Sequence, residues 1–168
     1  LVENIAATRA VAELAHAAGV PCEGELGAVM GHEAGPLPPY EELFASGRGF
    51  TDVDEAVRFV RESGCDWLSV AIGNIHGAIS GAQRDQKKVA ARLDLEHLAK
   101  LRAATGVPLV LHGGSGVEVE HVRQALQTGI TKVNVGAEIR QAYEAGLRAS
   151  GSVAQAQQAT YERTAWLL

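Results

Sequence analysis

The sequence predicts an α/β protein of parallel strands and covering helices, and three observations carry that reading. Helix-type and strand-type segments alternate along the chain at regular spacing. The strand segments are short apolar runs without strict polar alternation, as expected of parallel strands covered by helices. Glycine-containing returns lead from helix to strand at Ala18-Gly19, Ser63-Gly64, Thr105-Gly106 and Thr128-Gly129. Four such units in 168 residues match half of a TIM (β/α)8 barrel or a compact open sheet. No low-complexity tract or interdomain linker interrupts them, so residues 1–168 read as one domain or part of one.

The elements follow in order. A helix is predicted over 3–17, with Asn4 as candidate cap, Ile5, Val11, Leu14 and Ala15 at helical intervals, and Gly19 as its stop. Residues 20–26 read as a strand and 27–49 as a long loop holding glycines and three prolines. Thr51 or Asp52 should cap a helix over 51–63 that turns Ala56, Val57 and Val60 inward. A strand over 67–72, a polar loop over 77–91, a helix over 93–105 capped near Asp94, and a strand over 107–111 come next. The pattern closes with a helix over 119–128, a strand over 132–135, and helices over 138–150 and 152–168.

Composition narrows the function classes. A net charge of −5 and 5% aromatic residues provide neither a broad basic surface nor a base-stacking platform, so no nucleic-acid partner is expected. No apolar run approaches the roughly 20 residues of a membrane span, and no signal peptide is visible. Cys22 and Cys65 are isolated and fit two buried thiols in a reducing cytoplasm. The chain opens directly in helix-type sequence, which suggests that an N-terminal part precedes it.

The residues that could carry chemistry gather at strand carboxyl ends. Leu109-Val110-Leu111-His112-Gly113-Gly114-Ser115-Gly116 is an apolar strand delivering a histidine into a glycine turn, and Leu68-Ser69-Val70-Ala71-Ile72-Gly73-Asn74-Ile75-His76-Gly77 repeats the design. Neutral imidazole is a good zinc ligand, and ligands distant in sequence converge when their strands are neighbours. Two histidines fall short of the three protein ligands of a usual catalytic zinc site. His16, His97 and His121 lie on predicted helices and read as solvated. Gly113, Gly114 and Ser115 before one helix, and Asn134 to Ala137 before the next, are candidate phosphate contacts, because N–H groups at a helix start attract anions. Glu23 and Glu25 share one side of a strand and would face the interior, where a carboxylate needs a cation or hydrogen bonds. Glu33, in the long loop, is a candidate proton carrier.

Taken together, Glu23-Gly24-Glu25-Leu26-Gly27, Val70 to Gly77, Leu109 to Gly116 and Lys132-Val133-Asn134-Val135 resemble the class II, zinc-dependent ketose-bisphosphate aldolases, in the family's order and over nearly the whole chain. The resemblance implies a (β/α)8 barrel of which this chain holds strands five to eight, the C-terminal half. It implies His76 and His112 as zinc ligands, with backbone carbonyls around them as candidates for a monovalent cation. Gly77, Gly113, Gly114, Ser115, Asn134, Val135, Gly136 and Ala137 would hold the phosphorylated half of a ketose 1,6-bisphosphate of fructose or tagatose type. Glu33 would transfer the proton beside the carbonyl. The family's catalytic Asp and third zinc His fall outside this chain, so the chain alone is expected to be inactive and the full-length protein to be a homodimer or homotetramer. Ala78, Ile79 and Ser80 stand where a lysine is common, with Arg84, Lys87 and Lys88 nearby, and Gly136-Ala137 stands where Asp or Ala and then Thr are frequent. The alternatives are a non-catalytic phosphosugar-binding or assembly subunit and a metal-dependent sugar-phosphate epimerase.

Overall fold

The computed structural model describes residues 1–30, 38–76 and 91–168. They form two compact units, Leu1–Asn134 and Val135–Leu168. The first holds α1 (Val2–Ala17), β1 (Glu23–Leu26), α2 (Tyr40–Ser46), α3 (Val53–Ser63), β2 (Trp67–Val70), α4 (Leu95–Thr105), β3 (Leu109–Leu111), α5 (Val119–Thr128) and β4 (Ile130–Val133). The second holds α6 (Ala137–Ser150) and α7 (Val153–Leu167).

The four strands make one parallel sheet in the order β1-β2-β3-β4, so each strand pairs with its sequence neighbour. One face is apolar: Leu26, Leu68, Val70, Leu109, Leu111 and Ile130 pack with Ile5, Phe59, Leu98 and Leu101 of the helices. The other face carries Glu23 and Glu25 beside Trp67 and Ser69, and Val110 beside Lys132, in register across the ladders. In a flat sheet β1 and β4 would stand about 14 Å apart, three ladder spacings. Yet Lys132 Nζ lies 2.6 Å from Glu23 Oε2. A lysine and a glutamate can bridge that gap readily only if the sheet curls, with its polar face concave.

Several expectations change at the level of single residues. Asn4 lies inside α1 and does not cap it; its Nδ2 donates to the Glu25 carbonyl at 2.9 Å, tying the helix to β1. The expected long loop over 27–49 contains α2, which buries Leu43 after a proline at its N-cap. Asp52 caps α3 by accepting from Glu55 N–H, whereas Thr51 is fully buried, its hydroxyl donating to Leu26 O at 2.6 Å and accepting from Ala71 N–H at 2.8 Å. Ala56 is buried and Val60 packs on the core as expected, but Phe59 and not Val57 joins them, because Val57 is 36% exposed and Phe59 is fully covered. Phe59 fits because Gly24 has no side chain; a Cβ there would lie 2.7 Å from its ring. Asp94 caps α4 as expected, accepting from His97 N–H. β4 begins two residues earlier than expected, at Ile130, which places Lys132 near the strand's carboxyl end and not at its start.

In the second unit α6 and α7 pack as an antiparallel pair. Gly146 permits it, since a Cβ there would lie 3.0 Å from Ala156 Cα. Ser152 caps α7, and Arg163 pairs with Glu138 while stacking on Trp166. No helix among the described residues is long and apolar enough to cross a membrane.

Candidate active site

The site residues come from successive strand ends of the first unit. His112 follows β3 directly, and Asn134 follows β4. His76 lies six residues beyond β2, where the chain resumes pairing through a bridge between Met30 and Ile75, and His76 N–H donates to Met30 O at 2.8 Å.

Asn74 joins the two histidine segments. It is 3% exposed, its Oδ1 accepts from Ile72 N–H at 2.9 Å, and its Nδ2 donates to the His112 carbonyl at 2.9 Å. The turn after His112 closes against the same segment. Gly113 has φ of +70°, and a Cβ there would lie 2.7 Å from Ile75 O. Only glycine accommodates both the left-handed backbone and that approach. Gly114 to Gly116 form one 3₁₀ turn, with Gly116 N–H donating to Gly113 O at 3.1 Å. Gly114 N–H donates to Asn134 O at 3.1 Å, and Asn134 N–H to Leu111 O at 2.9 Å, so the turn is fastened to the end of β4.

Both ring nitrogens of His112 face carboxylates. Nε2 is 2.8 Å from Glu23 Oε1 and Nδ1 is 3.3 Å from Glu25 Oε2. Burial raises the Glu23 carboxyl, but the hydrogen bonds and charges of Lys132 and His112 outweigh it and hold the group below its ordinary range. An ionised carboxylate only accepts, so Nε2 carries the proton toward Glu23. Between Nδ1 and Glu25 either a proton or a bound cation would satisfy both groups. The imidazole and carboxylate donors fit a zinc-type ion. Among the described residues no group of three or more metal-ligating side chains is gathered.

The remaining expected residues divide as follows. Ser115 stands in the 3₁₀ turn; Val135, Gly136 and Ala137 open the second unit, with Gly136 at the N-cap of α6. Glu33 and Gly77 lie outside the described residues, as do Ala78, Ile79, Ser80, Arg84, Lys87 and Lys88. Among the helix histidines, His16 pairs with Asp66 at 2.8 Å while remaining half-exposed. His97 and His121 are not simply solvated. His97 Nε2 lies 2.7 Å from Thr51 O, and His121 Nδ1 accepts from Leu93 N–H at 3.2 Å. Asn74 and Lys132 stand within the sequence motifs, where local pattern assigns them no role. A lysine inside a parallel strand, three strands on from a Glu-x-Glu, was the available signal for the pair.

A parallel sheet covered by helices, with His112 after β3 meeting Glu23 and Glu25 of β1 beside a glycine turn, places the chain among the α/β proteins. The family model for "Fructose-bisphosphate aldolase class-II" matches residues 1–167, and the chain belongs to that family. It is 41% identical over 140 residues to the Escherichia coli K12 protein YdjI, covering 83% of this chain and 45% of that one. It is 35% identical over 146 residues to a fructose-bisphosphate aldolase of Geobacillus stearothermophilus, covering 87% and 46%. A fructose-bisphosphate aldolase of Streptococcus pyogenes is 36% identical over 161 residues, covering 95% and 50%. Among solved structures, the YdjI aldolase superposes with a TM-score of 0.73 at 31% identity, over 96% of this chain and 53% of that one. A Coccidioides immitis protein described as a putative fructose-1,6-bisphosphate aldolase gives 0.73 at 28% identity, over 97% and 55%. The chain thus spans about half the length of the relatives it matches.

Proposed function

We propose that this chain is the carboxyl-terminal half of a (β/α)8 barrel that performs zinc-dependent, reversible aldol cleavage of a ketose 1,6-bisphosphate. The observation that carries the reading is His112, placed at a strand end between two carboxylates and bound through Asn74 to the segment bearing His76. The curled sheet with a polar concave face supports the barrel.

His76 and His112 would hold the zinc, with a third ligand from the other half of the barrel. When bound, zinc would supply Lewis acidity for a substrate carbonyl. The chain's own residues orient and protonate. Gly113 and Ser115 would receive the phosphate at the turn, while Gly114 spends its N–H on Asn134 O and contributes by fixing the turn's shape. Asn134, Val135, Gly136, Ala137 and Gly77 are assigned to the same half of the substrate by the family motif. Glu33 would move the proton at the carbon beside the carbonyl. The His112 carbonyl, a candidate for a monovalent cation, already accepts from Asn74. A homo-oligomer in the cytoplasm belongs to the same reading.

The test is His112→Ala in the full-length protein, assayed for bound zinc and for triose phosphate. Metal catalysis contributes several kcal/mol, so cleavage should fall by at least roughly 10³-fold, with zinc lost. Retained zinc and retained cleavage would remove the metal assignment. An epimer of unchanged carbon count would replace cleavage by epimerisation, and phosphosugar binding without turnover would replace it by an assembly role.

A further inference from the structure

The two edge strands of the sheet meet in an ion pair whose carboxylate also reaches one histidine. Glu23 from β1 bridges Lys132 Nζ at 2.6 Å through Oε2 and His112 Nε2 at 2.8 Å through Oε1. Its side chain is 20% exposed and that of His112 21%, so water competes weakly for these bonds. Lys132 is further restrained by the Trp67 ring, 5.6 Å from Nζ. Glu25, by contrast, is 44% exposed and stands 3.3 Å from Nδ1. The two carboxylates are therefore not equivalent: one is neutralised by a lysine and committed to a ring N–H, the other is open.

Resting on the reading of His112 as a metal ligand, we infer that Glu23, anchored by Lys132, is a positioning residue that fixes His112 with Nε2–H inward and Nδ1 toward the metal. The lysine matters in two ways. It balances the charge of a partly buried carboxylate, and by occupying Oε2 it keeps Glu23 from swinging into the coordination sphere. A histidine ligand held by a carboxylate at its other nitrogen is pre-oriented and more basic, and loss of such a partner typically weakens metal binding 10–100-fold.

The experiment measures zinc dissociation by chelator competition in full-length Glu23→Ala, Glu23→Gln, Lys132→Met and His112→Ala proteins, with thermal unfolding of each metal-free form. Glu23→Ala should bind zinc about 10–100-fold more weakly while unfolding near the parent temperature. Glu23→Gln keeps an acceptor for Nε2–H and should recover part of the loss. A merely structural role would lower the unfolding temperature and leave zinc affinity unchanged. If Glu23→Ala does not fold, Lys132→Met decides, by weakened or unweakened affinity. Histidine-selective ¹⁵N NMR of the zinc-loaded parent should show His112 protonated at Nε2; protonation at Nδ1 would overturn the inference. Zinc lost in His112→Ala but kept at parental affinity in Glu23→Ala overturns this inference alone. Zinc kept in His112→Ala overturns the underlying metal reading instead.

Discussion

The two faces of the sheet are made by the same short strands and have almost nothing else in common. Toward the helices the strands are closed and apolar: Leu68, Val70, Leu109 and Leu111 are all fully covered. On the concave face the alternate positions hold Glu23, Glu25, Trp67, Ser69 and Lys132, joined at the strand end by His112. Side chains alternate along a strand, so one residue of sequence separates a position that stabilises from one that can do chemistry. The helix face is held by packing, whose cost of disruption scales with lost volume. The concave face is held by paired charges, whose disruption shows first in geometry and ligand affinity.

Three outcomes sharpen the contrast in the full-length protein. The largest effect on stability belongs to the helix face: Leu109→Ala should cost about 2–5 kcal/mol by denaturant titration. A cost below about 1 kcal/mol would mean that this face is not the tightly packed one. A smaller effect belongs to the amino end of the strands, where Asp66 accepts from Cys22 N–H at 2.7 Å and pairs with His16. Those two bonds, the backbone one first, hold its carboxyl below the ordinary range. A lowered folded pKa stabilises above the unfolded value of about 3.9, and that stabilisation is lost as pH falls through the folded value. The stability gap between the parent and Asp66→Asn should accordingly narrow from pH 6 to pH 3; a constant gap would show that charge is not what Asp66 contributes. The smallest effect belongs to the concave face itself. Ser69 is fully buried and its hydroxyl has no partner among the described residues, so Ser69→Ala should leave stability within about 0.5 kcal/mol of the parent or raise it. A loss above about 1 kcal/mol would reveal a hydrogen bond to that hydroxyl.

Much of this was legible in the residue order. The strand cores, the histidines at strand ends and the caps at Asp52 and Asp94 follow from local pattern, because each depends on neighbours a few residues away. Local pattern misleads where local and distant partners compete. Asn4 looks like a cap, yet it serves the Glu25 carbonyl 21 residues on; Thr51 also looks like one, yet its hydroxyl bridges two strands. Val57 satisfies the helical period, but the space under α3 was shaped for Phe59 by the missing side chain at Gly24.

Family membership and the order of the four strands and their covering helices, α2 apart, were legible in the sequence alone, since apolar periodicity and glycine turns act over short range. Which nitrogen of His112 meets which carboxylate was decided only by tertiary structure. Glu23 and Lys132 are 109 positions apart, and no local signal brings them together. Curling the sheet does, by bringing side chains from its two edges together over one concave face.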